Sequence, residues 1–312
     1  MGICASDTSS VHVESYGNED AVVHYTEISI ETNRSSTRIG STNYSHPGSK
    51  GFNQDSSILF QGYGIEDGVL CGVFDGHGEN GNIVSKMVRN RLPSLLLDQR
   101  NALAKISASP SKNFLKWKDA CFSSFKIMNY EIKLLENLDC SCSGTTAVVV
   151  TKQGNDLVIA NLGDSRAVLG TRTENGIMAI QLTTDLKPGV ASEAERIRKC
   201  KGRVLALEKE PHILRVWLPL RDSPGLAMSR AFGDFVLKKH GIIAIPDVSY
   251  RHLSPNDHFL VLASDGVWDV LSNDQEGSAA KAIVDAAISS WEHKFPNSNR
   301  DDCTAICLFF QH

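Results

Sequence analysis

Acidic residues stand at the ends of four apolar, strand-like runs in this 312-residue chain. The runs VLCGVF, LVIANLG and FLVLAS lead into Asp75-Gly76, Asp164 and Asp265-Gly266, and the run TAICLFF comes shortly after Arg300-Asp301-Asp302. A single Asp-Gly pair usually marks only a turn, because both residues tolerate tight backbone geometry. Four acidic strand ends in one chain instead predict several carboxylates at the rim of a sheet.

Carboxylates gathered at one rim repel each other, and their removal from water adds to the cost. A bound cation would resolve that conflict. Since the sequence offers oxygen ligands and no His/Cys cluster, Mg²⁺ or Mn²⁺ is favoured over Zn²⁺. A further carboxylate, Asp55, precedes the short apolar run 57–60. The pattern alone does not show whether these side chains converge.

The run Gly76-His77-Gly78-Glu79-Asn80-Gly81 also fits the GxGxxG pattern of dinucleotide-binding proteins. Two features disfavour that interpretation. The next strand-like run begins only at 146, after two helical stretches, and the charged Asp75 would stand beside a pyrophosphate. We therefore expect no nucleotide cofactor.

Composition argues against several broad classes of protein. The net charge is −4, whereas nucleic-acid-binding proteins usually carry a basic surface, so no nucleic-acid partner is expected. The densest apolar stretches, such as FLVLA at 259–263, are far shorter than a ~18–20-residue membrane span, and MGICASDTSS lacks the apolar core of a secretory leader. The eight cysteines include no CxxC pair, so those after Cys4 are expected to be reduced and mostly packed as small hydrophobic side chains.

Periodicity predicts a mixture of strands and helices. Helical spacing occurs at 81–97, 192–200 and 278–292, and most clearly over 114–138, where apolar residues recur in steps of three and four. Short apolar or β-branched runs predict strands at 69–74, 146–151, 157–161, 166–170, 242–245, 258–263 and 304–310. Gly154-Asn155 between two of these runs indicates antiparallel pairing, so we expect two packed sheets with helices outside them.

The first 49 residues differ in composition from the rest. Residues 1–50 contain 15 Ser or Thr and no sustained apolar periodicity. So little apolar surface cannot offset the entropy of ordering the chain, and 1–49 is interpreted as a mobile arm with one candidate strand at 22–30. Residues 50–312 are interpreted as one dense domain.

The start of the chain carries a candidate lipidation signal. Met1-Gly2-Ile3-Cys4-Ala5-Ser6 fits the N-myristoylation pattern, with Gly2 as the acceptor. One acyl chain anchors a protein only marginally, and no Lys or Arg precedes Arg34, so Cys4 is the candidate second site, by palmitoylation. We expect attachment to the cytoplasmic face of a membrane, the plasma membrane first. The alternative is an unmodified terminus, with the protein in the cytoplasm or nucleus.

Six motifs follow the segment KGFNQD (50–55) along the chain: VFDGHG (73–78), SGTTAVV (143–149), NLGDSRAVL (161–169), LAMSRAFGD (226–234), ASDGVWDVLS (263–272) and RDDCTAICLF (300–309). In sequence and order they resemble the motifs of type-2C, metal-dependent protein phosphatases, and KGFNQD resembles the plant form of that family's first motif. The resemblance covers roughly 50–311 and implies a phosphatase catalytic domain over 50–312. The implied fold is α+β, a central two-sheet antiparallel β-sandwich flanked by helices on both faces.

The resemblance also implies a binuclear metal centre. Two Mg²⁺ or Mn²⁺ ions, with Asp75 bridging them, would be bound by Asp75, the Gly76 carbonyl, Asp265 and Asp301. Asp55 would hold metal-bound waters, and Asp164 and Asp269 match positions that bind an additional, weaker ion in relatives. The ions would activate a water for attack on phosphoserine or phosphothreonine, so no phosphoenzyme forms. His77 would act as the general acid for the departing oxygen.

The chain departs from the family pattern in three places, and the first two departures resemble those of other plant members, so they do not predict a loss of activity. Lys50 stands where many members use Arg to hold the substrate phosphate, which predicts weaker positioning. Gln54 replaces an acidic residue seen in other branches. The chain is also shorter between Trp268 and Asp301, which would shift Asp265 relative to Asp301 or expose apolar surface. This shortened segment alone favours the alternative function, a catalytically silent scaffold that binds phosphoproteins.

Phosphorylated proteins are the implied substrates, and a monomer is expected. The segment 183–203, with six Lys or Arg in 21 residues, resembles the variable flap of the family. These cations either form a solvated helix face or meet the substrate's phosphate and acidic flanks. The surroundings of Trp217 differ from those in the relatives that hormone receptors regulate, so no receptor partner is predicted.

Overall fold

Two large antiparallel sheets form the centre of the computed structural model, which describes residues 24–25, 40–106, 113–273, 280–296 and 298–310. Within these ranges the strands are β1 (His24–Tyr25), β2 (Gly40–His46), β3 (Ser56–Gln61), β4 (Val69–Phe74), β5 (Gly76–His77), β6 (Gly144–Thr145), β7 (Ala147–Gln153), β8 (Asp156–Leu162), β9 (Arg166–Thr173), β10 (Gly176–Gln181), β11 (Arg203–Leu207), β12 (Glu210–Trp217), β13 (Phe232–Gly233), β14 (Asp247–His252), β15 (Asp257–Ala263) and β16 (Cys303–Phe309). The helices are α1 (Gly81–Ile106), α2 (Asn113–Lys133), α3 (Ala191–Lys199), α4 (Phe235–Lys238), α5 (Asp265–Trp268) and α6 (Ala280–Lys294).

The sheets pack face to face around a shared core. One has the strand order β14-β8-β7-β4-β3 and the other β1-β2-β16-β15-β9-β10. Successive strand residues face opposite sides of a sheet, so alternate residues of the central strands enter the space between the sheets. The core residues that expose 1% or less of their surface include Val73, Val150, Ile159, Leu262 and Ile306.

Helices cover the outer faces of both sheets. Helices α1 and α2 pack on the five-stranded sheet, where Trp117 and Phe125 are buried. Helices α5 and α6 pack on the six-stranded sheet, where Val284 and Ala287 are buried. The predicted α+β sandwich with helices on both faces is confirmed.

The helix predicted over 114–138 is also confirmed, although α2 ends at Lys133. Trp117, Phe125, Met128 and Ile132 each expose 1% or less of their surface, which accounts for the apolar stripe at steps of three and four. The helix predicted over 81–97 continues to Ile106.

Strand β2 corrects the predicted boundary of the N-terminal arm. Gly40–His46 pair with β16 over seven residues, so residues 40–46 belong to the six-stranded sheet and not to a mobile arm. Their sequence, GSTNYSH, is polar, and Tyr44 alone among them is buried. The strand is held by backbone hydrogen bonds to a partner some 260 residues away, which local periodicity does not reveal. Residues 47–49, which follow β2, are also described; the remaining arm positions, apart from β1, lie outside the described residues.

The strand predicted at 242–245 is wrong. Ile243 makes only an isolated bridge to Arg230, and Ile242 is buried in a small separate core with residues of α3 and of β11 and β12. The antiparallel pair β11–β12, which the sequence analysis missed, forms a two-stranded sheet of its own. Trp217 packs within this unit and donates from Nε1 to the Leu205 carbonyl at 2.9 Å. We call the unit formed by 183–230 the flap.

Helix α6 lies between Trp268 and Asp301, the segment that the sequence analysis interprets as shorter than in the family. Its Trp291 Nε1 donates to the Gly266 carbonyl and its Lys294 Nζ to the Val270 carbonyl, both at 2.6 Å. The helix buries Ala280, Ile283, Val284 and Ala287 against the sheet. Among the described residues, α6 therefore covers the apolar face of the sheet that the shorter segment was expected to expose. Residues 274–279 lie outside the described residues.

The seven described cysteines are free thiols, and five are buried, as predicted. Burial raises the pKa of Cys71 and Cys121 to about 12, which makes these thiols poor nucleophiles. No described helix combines the length and apolarity needed to cross a membrane. Gly2 and Cys4 lie outside the described residues.

Candidate active site

Three aspartates, which we call the aspartate rim, meet at one end of the sandwich. Asp75 follows β4, Asp265 follows β15 as the first residue of α5, and Asp301 precedes β16. Burial and then nearby carboxylates, Asp265 first among them, raise the pKa of Asp75 well above its ordinary value. Burial and nearby carboxylates, Asp164 first, do the same for Asp265. The strand ends identified in the sequence therefore place their carboxylates within electrostatic reach of each other.

Close backbone packing holds the Asp75-Gly76 turn in place. The Asp75 N–H donates to Thr146 Oγ1 at 3.0 Å, and its carbonyl accepts from the Thr146 N–H at 2.9 Å. A Cβ added to Gly76 would lie 2.6 Å from the Gln54 carbonyl oxygen and closer still to that of Gly81. Only glycine leaves room for the turn to lie against the start of α1.

Asp55 is buried close to the aspartate rim, within electrostatic reach of Asp75. It is 6% exposed, and its Oδ2 accepts a 2.7 Å hydrogen bond from Ser264 Oγ. Its Oδ1 is buried and has no hydrogen-bond partner among the described residues. Burial, with a further contribution from Asp302, raises the pKa of Asp55 to about 7.

The neighbours Asp301 and Asp302 have different partners. Lys50 Nζ lies 2.5 Å from Asp301 Oδ2; burial opposes the charge on Lys50, but Asp301 raises its pKa overall. Asp302 instead accepts the backbone N–H of Gly48 at 2.6 Å and that of Gln54 at 2.7 Å. Asp302 thereby holds the loop that carries Lys50 in place, whereas Asp301 contributes its carboxylate to the rim.

Asp164 and Asp269 share a lysine of the flap. Lys187 Nζ lies 3.1 Å from Asp269 Oδ1 and 3.9 Å from Asp164 Oδ2. Asp164 is 1% exposed, its Oδ1 has no hydrogen-bond partner among the described residues, and burial raises its pKa to about 6. Burial opposes the charge on Lys187, but the two carboxylates raise its pKa overall.

His77 lies beside the rim, two residues after Asp75. Its Nε2 is 2.7 Å from Asp234 Oδ2, and its Nδ1 is buried without a partner among the described residues. The GxGxxG run that contains His77 forms β5 and then leads into α1. The structure therefore brings His77, Lys50 and the predicted carboxylates to one region.

The residues at the rim fit a hard divalent cation. Their donors are carboxylate oxygens, the ligands that Mg²⁺ and Mn²⁺ prefer. Positive charge would satisfy the unpaired Oδ1 atoms of Asp55 and Asp164. It would also offset the burial and the carboxylate repulsion that raise the pKa of Asp75 and of Asp265. Within the described ranges, no three His, Cys, Asp or Glu side chains already surround a common point. Instead, the Lys50 ammonium group pairs with Asp301 of the rim, and that of Lys187 pairs with Asp269.

Three contributors at the site were missed by the sequence analysis: Lys187, Asp234 and Asp302. The resemblance assigns Asp301 to the metal centre and gives Asp302 no role, and Lys187 is only one of the six cations in 183–203. The motif LAMSRAFGD contains Asp234, but the residue follows no long apolar run that would mark it as a strand end. A Gly-Asp pair after a short apolar stretch was the one available signal.

Comparison with known proteins gives consistent results. The family model described as Protein phosphatase 2C matches residues 48–303. The chain is 50% identical to Probable protein phosphatase 2C 72 of Arabidopsis thaliana, over 100% of this chain and 98% of the relative. It is 46% identical to Probable protein phosphatase 2C 12 of Oryza sativa subsp. japonica, over 99% of this chain and 91% of the relative. The Arabidopsis alignment spans 328 positions, so that relative has residues without a counterpart here.

Solved structures show the same fold. The serine-threonine phosphatase 2C from Toxoplasma gondii superposes with a TM-score of 0.79 at 24% sequence identity, over 93% of this chain and 99% of that one. A C. elegans sex determining protein gives a TM-score of 0.69 at 21% identity, over 90% of this chain and 66% of that one. At these identities the likeness establishes the fold alone.

Proposed function

The chain belongs to the protein phosphatase 2C family of metal-dependent protein phosphatases, and we propose that the aspartate rim is its site for hydrolysing phosphoserine and phosphothreonine. The observation that carries the proposal is the gathering of Asp75, Asp265 and Asp301 from three separate strand ends. Burial and neighbouring carboxylates raise the pKa of both Asp75 and Asp265, which is a costly arrangement unless it serves a bound cation.

The chemistry of the rim depends on divalent ions. When bound, Mg²⁺ or Mn²⁺ would supply Lewis acidity, lowering the pKa of water for attack on phosphorus and offsetting charge on the phosphoryl oxygens. We assign the binding of two ions to Asp75, the Gly76 carbonyl, Asp265 and Asp301. Asp55 would orient water from below, and Asp164 and Asp269 would bind a weaker additional ion.

Lys50 and His77 act on the substrate itself. The Lys50 side chain is 54% exposed, so its ammonium group can exchange Asp301 for a phosphate oxygen. His77 protonates the departing Ser or Thr oxygen. An alkoxide is a poor leaving group, so this proton transfer contributes about 10²–10⁴-fold to the rate. Water attacks phosphorus directly, and no phosphoenzyme forms.

The test is metal-dependent release of phosphate from a phosphothreonine peptide. The folded wild-type protein should release phosphate with Mn²⁺ or Mg²⁺ and stop when EDTA is in excess. Asp265→Asn should reduce turnover by at least ~10²-fold, because the variant loses a rim carboxylate. Asp285→Asn, an exposed carboxylate on α6, is the matched control and should behave as wild type. Folded wild-type protein without metal-dependent release would refute the proposal and favour the phosphoprotein-binding scaffold.

We also propose that acyl chains on Gly2 and Cys4 attach the enzyme to the cytoplasmic face of a membrane. The support is the motif MGICAS and the absence of any Lys or Arg before Arg34 that could supply a second, electrostatic anchor. Gly2→Ala should move the protein to the soluble fraction, and Cys4→Ser should weaken attachment without abolishing acylation of Gly2. Unchanged membrane association of Gly2→Ala would contradict this proposal and leave the catalytic one intact.

A further inference from the structure

A buried aspartate holds the ring of His77. His77 Nε2 lies 2.7 Å from Asp234 Oδ2, although the two residues are 157 positions apart in the chain. The Asp234 side chain is 2% exposed and that of His77 is 18% exposed, so the contact lies largely away from water. The proposed function assigns no part to Asp234.

A small sheet, separate from the sandwich, brings the pair together. Its strand order is β13-β6-β5, with His77 in β5 and Asp234 directly after β13. Gly144 of the central strand pairs with His77 on one side and with Gly233 on the other. A Cβ on Gly144 would lie 2.5 Å from Asp234 Oδ2 and 2.9 Å from His77 Nε2. The His77–Asp234 contact therefore requires glycine at this position.

The backbone of Asp234 is also fixed in an unusual conformation. Its φ is 51°, in the left-handed region that residues with a Cβ adopt uncommonly. The Asp234 N–H donates to the Ser143 carbonyl at 3.0 Å, and the next N–H, of Phe235, donates to the Cys140 carbonyl at 3.2 Å. These hydrogen bonds hold the turn that directs the carboxylate at His77.

The second ring nitrogen of His77 is left for other use. Nδ1 is buried and has no hydrogen-bond partner among the described residues, an arrangement that costs stability. With Nε2 committed to Asp234, Nδ1 is the ring nitrogen that has no protein partner among the described residues. We propose that Asp234 is a positioning residue of this phosphatase, which accepts Nε2–H and so fixes His77 with Nδ1–H directed at the departing oxygen. This inference rests on the proposed function.

The proton-transfer step then has defined atoms. The water oxygen forms a new bond to phosphorus while the bond from phosphorus to the Ser or Thr oxygen breaks. That oxygen keeps the electron pair of the broken bond and takes the proton from His77 Nδ1. Nε2–H stays with Asp234 throughout, and the proton lost by the attacking water restores the ring. Loss of the Asp234 carboxylate leaves the ring free to turn, so fewer encounters present Nδ1–H to the oxygen.

The test exploits the leaving group. A phosphothreonine peptide needs a proton on its departing oxygen, whereas p-nitrophenyl phosphate releases a stable phenolate that does not. Asp234→Asn should lower kcat on the peptide by on the order of 10–100-fold, a share of what a general acid supplies, with KM within about twofold. Its kcat on p-nitrophenyl phosphate should fall by less than about threefold. The ratio of the two kcat values does not depend on the folded fraction, so partial misfolding cannot imitate the result.

Two further variants complete the design. In a His77→Gln background, adding Asp234→Asn should change peptide turnover by less than about twofold, since a residue that acts through His77 has nothing left to position. The matched control is Asp156→Asn, which breaks the pair between Asp156 and His252, also 2.7 Å apart, at the opposite end of β8 from the rim. This control should leave both kcat values unchanged.

Two results would overturn the inference: equal losses on both substrates, or additive losses in the double variant. Either would indicate a general structural role for Asp234. A third result would overturn the inference but leave the proposed function intact: metal-dependent turnover by the wild type, reduced turnover in His77→Gln, and unchanged turnover in Asp234→Asn. Wild-type protein without turnover on either substrate would instead count against the proposed function.

Discussion

Glu193 of α3 is the buried anion of the flap, and Glu193→Gln should lower the free energy of unfolding by about 3 kcal/mol. Its 2%-exposed side chain accepts hydrogen bonds of 2.6–2.9 Å from Arg196, Arg230 and Ser229. Burial alone would raise the pKa of Glu193, but hydrogen bonds from these three residues outweigh it and lower the pKa from 4.5 to about 2. That difference corresponds to about 3 kcal/mol. Leaving two guanidinium groups without their counter-charge gives a similar cost, about 3–5 kcal/mol.

The same pKa fixes how the effect depends on pH. Because the folded pKa of Glu193 lies below the unfolded value, the carboxylate binds fewer protons in the folded state and stabilises it above pH 4.5. This stabilisation is lost as the pH falls from about 4.5 towards 2. Glutamine cannot titrate, so the stability difference between wild type and Glu193→Gln should be constant from pH 7 to 5 and narrow below 4.5.

Urea denaturation of the two proteins at a series of pH values measures this difference. Glu195→Gln is the control: Glu195 lies on the same helix but is 65% exposed, and among the described residues its ion pair is with Lys199, so the substitution should cost less than ~1 kcal/mol. A loss below 1 kcal/mol for Glu193→Gln at pH 7, or a difference that stays constant down to the lowest pH at which both proteins fold, would refute the reasoning.

Three other substitutions test the site. Lys187→Met removes the cation between Asp164 and Asp269 and should tighten Mn²⁺ binding by about tenfold in titration calorimetry; unchanged affinity would show that Lys187 does not compete with the ion. Gly144→Ala should lose peptide turnover and more than ~1 kcal/mol of stability, measured by phosphate release and thermal unfolding, whereas Gly40→Ala, whose nearest neighbouring atom lies 3.8 Å away, should cost less. Asp302→Asn should raise KM for a phosphopeptide more than it lowers kcat, since its backbone hydrogen bonds hold the loop that carries Lys50; the reverse pattern would place Asp302 in the chemistry.

The rim could be predicted because its signals are local. Each of Asp75 and Asp265 stands beside its own apolar run and its own glycine, so the sequence places both at strand ends without knowledge of the pairing. Antiparallel sheets packed face to face then bring strand ends to common rims. The carboxylate that raises the pKa of Asp75 most is that of Asp265, whose strand, β15, belongs to the opposite sheet.

Strand β2 and Asp234 could not be predicted in the same way, because their roles come from partners far along the chain. Gly40–His46 are polar, and all seven residues pair with β16, which lies near the other end of the chain. Asp234 gains its role from His77 through a sheet whose strands have two residues each, too short to leave any periodicity in the sequence.

The flap shows most clearly that a cluster of Lys and Arg residues in a sequence does not reveal which groups those side chains bind. The six cations of 183–203 are equally consistent with a solvated face or with substrate contacts, yet Arg196 binds the buried Glu193 and Arg203 binds the Leu218 carbonyl at 2.9 Å. Glu193 also binds Arg230, four residues before Asp234, so α3 is tied to the segment that leads to β13. Substitutions that disturb Glu193 should therefore shift Asp234 and, through it, change the orientation of His77. Glu193→Gln should lower turnover on a phosphothreonine peptide more than on p-nitrophenyl phosphate.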